Sequence, residues 1–356
     1  MRQAFQCLFN QLNKNLPILS QNITEAVQKM NELGRKKTPF LFIIDYEIKQ
    51  PLVLTLEEVE EQNIFYKINE KTNFSFGKSL SEKPLYLEKY PISFAEYEFS
   101  FNIIKNHLLR GDSFLTNLTK PTPIRINLSL QEIFQRSRAK YQLYFQDKFV
   151  LFSPEIFVKI QDGIISSHPM KGTILANIPN AETEILNDKK ELAEHTTIVD
   201  LIRNDISMVS EKVWVERFRY ISRIHTHEGD LLQVSSEVCG QLPQNYADNI
   251  GTLLHTLLPA GSICGAPKPQ TLAIIKKAEN YDRGYYTGIF GIFDGQNLDS
   301  SVMIRFIEKQ EDGSLIFKSG GGITAFSDPR LEYQEMIDKV YLGIKFCLLA
   351  TGQFGV

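Results

Sequence analysis

Residues 287–323 read TGIFGIFDGQNLDSSVMIRFIEKQEDGSLIFKSGGGI, a pattern that no helix can bury. Runs of β-branched and aromatic residues are broken at Asp294-Gly295 and Asp312-Gly313, pairs suited to hairpin turns. The segment predicts an antiparallel meander ending in three glycines, and it commits the chain to a sheet-based core. The same signature comes earlier, where residues 38–56 predict two strands joined around Lys49, Gln50 and Pro51. FVLF and FVKI predict two further short strands, with a turn at Asp162 and Gly163.

Helical spacing is interleaved with these strands. Phe94, Tyr97, Phe101, Ile104 and Leu108 predict a helix over 93–110, stopped by Gly111, after which 113–128 returns to strand. Leu186, Leu192, Ile198, Leu201 and Ile202 predict one long helix over 181–208. The last helix is capped by Asp328 and opened by Pro329, with Tyr333, Ile337, Val340 and Ile344 as its buried stripe. Alternation of both kinds over 356 residues, 43% of them apolar, predicts an α/β (α+β) body of one large or two intimately packed domains.

Charge and cysteine usage exclude several function classes. With 39 basic and 42 acidic residues interspersed, the net charge of −3 leaves no footprint for nucleic acid or an anionic membrane. Cys7, Cys239, Cys264 and Cys347 lie far apart, without the spacing of a zinc site or a disulfide framework. The start has no signal-peptide pattern, and no run approaches the roughly 18 apolar residues of a membrane helix, so the expected setting is the cytosol.

Chemistry can reside in three places. Glu191 and Glu194, and again Glu332 and Glu335, stand three apart on predicted helices, so each pair can aim its oxygens at one spot, as Mg²⁺ requires. The same spacing also describes two solvated helix faces. Gly320, Gly321 and Gly322 can bring backbone N–H groups close to a carboxylate, or can form a tight turn. Lys171, in the loop HPMKGT between Pro169 and Gly172, can act as a nucleophile if it is unprotonated, or be a solvated lysine. His225 and His227 lack further ligands and read as a polar loop.

Taken together, GDSFLTNLT (111–119), PMKGT (169–173), NDKKELAEHTTIVDLIRND (187–205), LLPAGSICGAPKPQTLAII (257–275), RGYYTGIFG (283–291), IRF (304–306) and SGGGITAFSDPRLEYQEMIDK (319–339) resemble the chorismate-utilising enzymes. That family includes anthranilate, aminodeoxychorismate, isochorismate and salicylate synthases. The resemblance runs over about 93–345. It implies a chorismate-utilising enzyme fold of two pseudo-symmetric packed β-sheets flanked by helices, with the active site in the cleft. It divides the chain into a poorly matched part, 1–90, that completes the sheet scaffold, and a chorismate-binding catalytic domain, 91–350.

The resemblance also implies roles. Glu194 and Glu335, supported by Glu191 and Glu332, match magnesium ligands that hold the ring carboxylate of chorismate. Arg305, the glycines 320–322 and Lys339 would grip the substrate, with Tyr285, Cys264 and Lys268 around it. Isochorismate and salicylate synthases place a water-activating lysine where this chain has Leu115, and anthranilate synthases read PIAGT where it has PMKGT. Lys171 therefore implies the aminodeoxychorismate branch. In that chemistry a lysine adds to C2 of the ring, ammonia enters at C4, and the enolpyruvyl group stays for a separate lyase. Neighbouring Lys268 or Arg305 would keep Lys171 unprotonated.

Gln233 replaces a histidine common in relatives, and Cys264 a Ser or Thr. No glutaminase elbow is present and no lyase follows before Val356, so ammonia is expected from a separate glutamine amidotransferase subunit. Anthranilate synthase component 1 is the alternative, and a non-catalytic chorismate-binding subunit would have broken carboxylate pairs.

Overall fold

The computed structural model describes residues 21–75, 85–226 and 229–342. Cys7, Cys347, His227 and Ile344 lie outside them. The chain opens with α1 (Ile23–Arg35), β1 (Phe40–Ile44), β2 (Leu52–Thr55), α2 (Leu56–Glu60), β3 (Ile64–Ile68), β4 (Lys71–Thr72) and β5 (Leu87–Lys89). Then come α3 (Phe94–Leu109), β6 (Leu115–Ile126), α4 (Leu130–Arg136), β7 (Tyr141–Phe145), β8 (Phe149–Ser153), β9 (Ile156–Gln161), β10 (Ile164–Ser167) and β11 (Met170–Leu175). Next are α5 (Ala181–Asn187), α6 (Lys189–Ser207), β12 (Lys212–Thr226), β13 (Gly229–Gln241), α7 (Ile250–Thr256), α8 (Gly261–Cys264), β14 (Gly265–Ala266) and α9 (Lys268–Glu279). The last part holds β15 (Ile289–Phe293), β16 (Leu298–Val302), β17 (Phe306–Lys309), β18 (Leu315–Ile323) and α10 (Pro329–Asp338).

Among the described residues the strands form two antiparallel sheets of nine. The first runs β11-β13-β10-β9-β16-β15-β1-β2, with β12 also on β13, and the second runs β14-β6-β18-β17-β8-β7-β3-β4, with β5 on β6. The period-2 rule explains how β1 serves two layers. Leu41 and Ile43 point at the second sheet, joining Ile64, Leu143, Phe149, Leu151 and Phe290 in a shared core. Phe40, Phe42 and Ile44 point the other way, onto Ala26 and Met30 of α1 and close to Ile198 and Ile202 of α6. The outer face of the second sheet is covered by Ile133 and Phe134 of α4. Helices α3, α9 and α10 close one end around Leu118 and Ile323. The expected fold of two packed sheets with helices outside is thus the one observed, and no helix among the described residues is long and apolar enough to cross a membrane.

Several local expectations change. Residues 287–323 are two hairpins rather than one meander: β15-β16 belongs to the first sheet and β17-β18 to the second. The chain crosses between sheets at 303–305, where Arg305 takes a left-handed φ of 53°. The helix over 181–208 is two helices, because the Asp188 carboxylate accepts from Glu191 N at 2.9 Å and caps a new start. Of its apolar stripe, Ile198, Leu201 and Ile202 are buried but Leu192 is exposed. The last helix ends at Asp338, so Met336 is its buried residue, while Val340, past the helix, packs in the core under α4. HPMKGT is not a loop, since Met170–Leu175 pairs with β13 across an irregular register at Met170/Thr173, and Gly172 has φ +81°.

Candidate active site

The site is assembled from both sheets. Strand β11 presents Lys171 beside the bulge at Gly172, where an added Cβ would stand 3.1 Å from Glu191 Oε2. Lys171 Nζ is 3.7 Å from Glu194 Oε2 on α6, so a strand and a helix of the first sheet's layer place a lysine among carboxylates. From the second sheet, β18 brings its glycines alongside β6, pairing Gly320, Gly321 and Gly322 with Thr119, Leu118 and Asn117. A Cβ on Gly321 would meet Glu335 Oε1 at 3.5 Å, Lys339 Nζ at 3.5 Å and Glu332 Oε2 at 3.6 Å. Lys339 Nζ donates to Gly320 O at 2.8 Å and pairs with Glu335 at 2.7 Å, which locks α10 to the glycine strand.

The two layers meet at Gly322. A Cβ there would lie 3.0 Å from Leu115 Cδ1 and 3.3 Å from Lys171 Nζ, so the glycine leaves the space in which a lysine from one sheet and a leucine from the other approach each other. Leu115 is buried. Glu155, between β8 and β9, ties the rest together. Burial raises its carboxyl above the ordinary range, while the Ser262 hydroxyl at 2.5 Å and the charges of Lys171, Lys339 and Arg305 oppose that rise. Arg305 lies with its guanidinium 4.2 Å from the Tyr341 ring, and its Nη1 is buried with no hydrogen-bond partner. A buried guanidinium nitrogen without a partner is able to accept an anion.

Lys171, Glu191, Glu194, Arg305, Gly320, Gly321, Gly322, Glu332, Glu335 and Lys339 are therefore drawn toward one region, with Leu115. Three other residues have partners of their own. The Tyr285 hydroxyl donates to Gln50 O at 2.9 Å, while its ring packs 5.1 Å from that of Phe149. Cys264 is buried, donates to Ala260 O at 3.0 Å, and has its thiol pushed up to about 11 by burial. Lys268 Nζ is 2.8 Å from Asp205 and donates to Leu257 O at 3.1 Å. Gln233 stands opposite Thr173, two residues along β11 from Lys171.

The carboxylates come as two pairs rather than as a quartet. Among the described residues no three His, Cys, Asp or Glu side chains close on one point. The donor set still fits Mg²⁺, a hard cation that takes one or two protein carboxylates and completes its shell with water and substrate oxygens. Sequence reasoning missed Glu155, Ser262 and Tyr286. Tyr286 is buried, and its hydroxyl is held high by burial, with Arg283, Glu279, Glu155 and Arg305 in electrostatic range. The available signal for Glu155 was a charged residue between two apolar strands, VLFSPEIFV.

This geometry can be compared with known proteins. The model of the chorismate binding enzymes matches residues 57–343. The chain belongs to the chorismate-binding enzyme family. A protein of Pasteurella multocida described as PabA-like is 50% identical over 318 residues, 89% of this chain and 98% of its own length. Anthranilate synthase component 1 of Pseudomonas aeruginosa is 32% identical over 68% of this chain. Aminodeoxychorismate synthase component 1 of Bacillus subtilis is 30% identical over 73%. This chain spans 51% and 57% of those two proteins. Among solved structures, anthranilate synthase component I of Streptococcus pneumoniae aligns with a TM-score of 0.62 and 26% identity, over 74% of this chain and 60% of that one. As a chorismate-binding enzyme, the chain places its Lys171 and Leu115 at the point where its two sheets meet.

Proposed function

We propose that this enzyme aminates chorismate at C4 with ammonia, giving 4-amino-4-deoxychorismate and retaining the enolpyruvyl group. The observation that carries the reading is the convergence of Lys171 Nζ and Leu115 Cδ1 over Gly322. An amine stands there as nucleophile, and the apolar neighbour offers no base to activate water. Arg305 Nη1 and Lys339 supply positive charge for the substrate carboxylates.

In the first step Lys171 Nζ forms a bond to C2 of the ring as the C4–O bond breaks, the ring double bond shifts, and the hydroxyl leaves as water with a proton from Glu155. A carboxyl whose pKa burial raises above the ordinary range is suited to that donation. Ammonia then bonds to C4 and passes a proton back to Glu155 as Lys171 departs from C2, restoring the ring, the acid and the free side chain. Glu191 and Glu194 on one side and Glu332 and Glu335 on the other would hold Mg²⁺, which when bound supplies a positive charge to the ring carboxylate. A separate glutaminase as the ammonia source and a lyase acting on the product complete the proposal. The "component 1" in the relatives' names is consistent with a second subunit.

The test is to incubate the protein with chorismate, ammonium and Mg²⁺, with and without an added lyase, and to identify the products by mass spectrometry. Aminodeoxychorismate is expected. Anthranilate with pyruvate would instead support the second reading, anthranilate synthase component 1, which the relative of 32% identity favours.

A further inference from the structure

The turn between β1 and β2 lies before the segment that the family model matches, yet it grips a segment leading into the site. Asp45, 4% exposed, shapes the turn by accepting from Lys49 N at 3.0 Å and Gln50 N at 2.6 Å. From this turn Glu47 reaches across: Oε1 accepts from Arg283 N at 2.9 Å and Oε2 from Gly284 N at 3.0 Å. Tyr46 N donates back to Gly284 O at 2.9 Å, and the Arg283 guanidinium lies 4.5 Å from the Tyr46 ring centre. The gripped segment runs directly into Tyr286 and then Thr287, which has φ 61°. Thr287 N donates to Met303 O at 2.8 Å, and Met303 N to Gly288 O at 2.8 Å, two residues before Arg305.

We propose that Glu47 is a positioning residue for substrate binding: by holding the Arg283 and Gly284 amides it fixes residues 283–288, and through them Tyr286 and the crossing that carries Arg305. The inference rests on the reading of Arg305 as the grip on a chorismate carboxylate. Two amides on one carboxylate are charge-assisted bonds in a half-buried setting, and removing the acceptor leaves both amides without it. The segment would then sample other arrangements, and the cost falls on binding rather than on the chemical step, because the Lys171 nucleophile stands on β11, which pairs with β13 and not with the gripped segment.

The experiment compares chorismate saturation in wild type, Glu47→Ala and Glu47→Gln under ammonia-dependent conditions, beside their melting temperatures. Glu47→Ala should raise the KM for chorismate about tenfold and leave kcat within about twofold, the size of effect that a lost pair of such bonds gives. Glu47→Gln keeps one acceptor oxygen and should fall between wild type and Glu47→Ala, which also serves if the alanine variant does not fold. A KM within about twofold of wild type in Glu47→Gln and in folded Glu47→Ala, even with a lowered melting temperature, makes Glu47 a structural residue and overturns the inference alone. If wild type itself neither binds nor converts chorismate, the reading of the site falls and this inference falls with it.

Discussion

Lys171 stands out in the sequence through the PMKGT motif rather than through its flanking proline and glycine, and the contacts around it are not visible there. The register that puts Leu115 and Lys171 over Gly322 depends on two sheets that share no local signal. Glu155 shows the same limit, since one carboxylate between two apolar strands reads as a turn residue until Ser262, Arg305 and Lys339 are folded around it. Lys171→Ala should lower ammonia-dependent amination by more than about 100-fold, and Glu155→Gln by about 100-fold or more, the usual weight of a nucleophile or a general acid. A loss of only a few-fold in Lys171→Ala, measured by product formation, would remove the nucleophile from the mechanism. His195 carries a prediction about pH. It is 1% exposed, its Nε2 lies 2.6 Å from Ser236 Oγ, and burial, then the charges of Arg219 and Lys171, lower its pKa to about 4. An unfolded histidine binds its proton near pH 6.5, so the unfolded state holds more protons between these values. The stability that neutral His195 contributes is therefore complete above pH 6.5 and is lost as the pH falls toward 4, by up to about 3 kcal/mol. Urea midpoints at pH 7.5 and pH 5 should diverge in wild type and diverge less in His195→Gln.

At the scale of elements, amphipathic spacing located α3 to within a residue because its stripe and its capping box agree, with Ser93 and Glu96 satisfying one another's amides. It failed at 181–208 because two helices set end to end can share a spacing, and the Asp188 cap that separates them is a local bond between a side chain and a backbone amide. Strand β18 shows that neighbouring glycines have different reasons to be glycine. A Cβ on Gly320 would run into Leu118 O and stand 2.7 Å from Thr119 Cα, both parts of the adjoining backbone. On Gly322 it would meet the ends of two side chains, Leu115 and Lys171, which can turn aside. Gly320→Ala should therefore disrupt the β6-β18 pairing and lower stability by several kcal/mol, of the order of overpacking in a close-packed site. Gly322→Ala should keep the melting temperature within a few degrees while reducing amination at least tenfold, since the methyl displaces the amine. Circular-dichroism melts beside activity assays separate the two, and equal melting temperatures for both variants would contradict this account of the strand.

For the molecule as a whole, composition and strand patterning foresaw an α/β body, and the resemblance to the chorismate-utilising enzymes foresaw two packed sheets, but neither told which hairpin belongs to which. The boundary falls at 303–305, where the chain leaves β16 in one sheet and enters β17 in the other, and alternation alone cannot mark a change of layer. That crossing makes the two sheets interdependent. Residues 40–68 supply strands to both of them, and the core between the sheets is built from both: Leu41, Ile43 and Phe290 face Ile64, Leu143 and Phe149. Neither sheet can keep its inner face dry without the other, so the pair should unfold as one unit even though chains of this size often unfold in stages. Phe290 is fully buried on β15, and Phe290→Ala removes a ring from the centre of that interface at a cost of about 3–5 kcal/mol. Because the lost contacts belong to both layers, the variant should shift the whole urea transition to lower concentration, with circular dichroism and chorismate turnover falling together. Two separated transitions in Phe290→Ala, one keeping half of the strand signal after activity is gone, would mean that each sheet holds a core of its own.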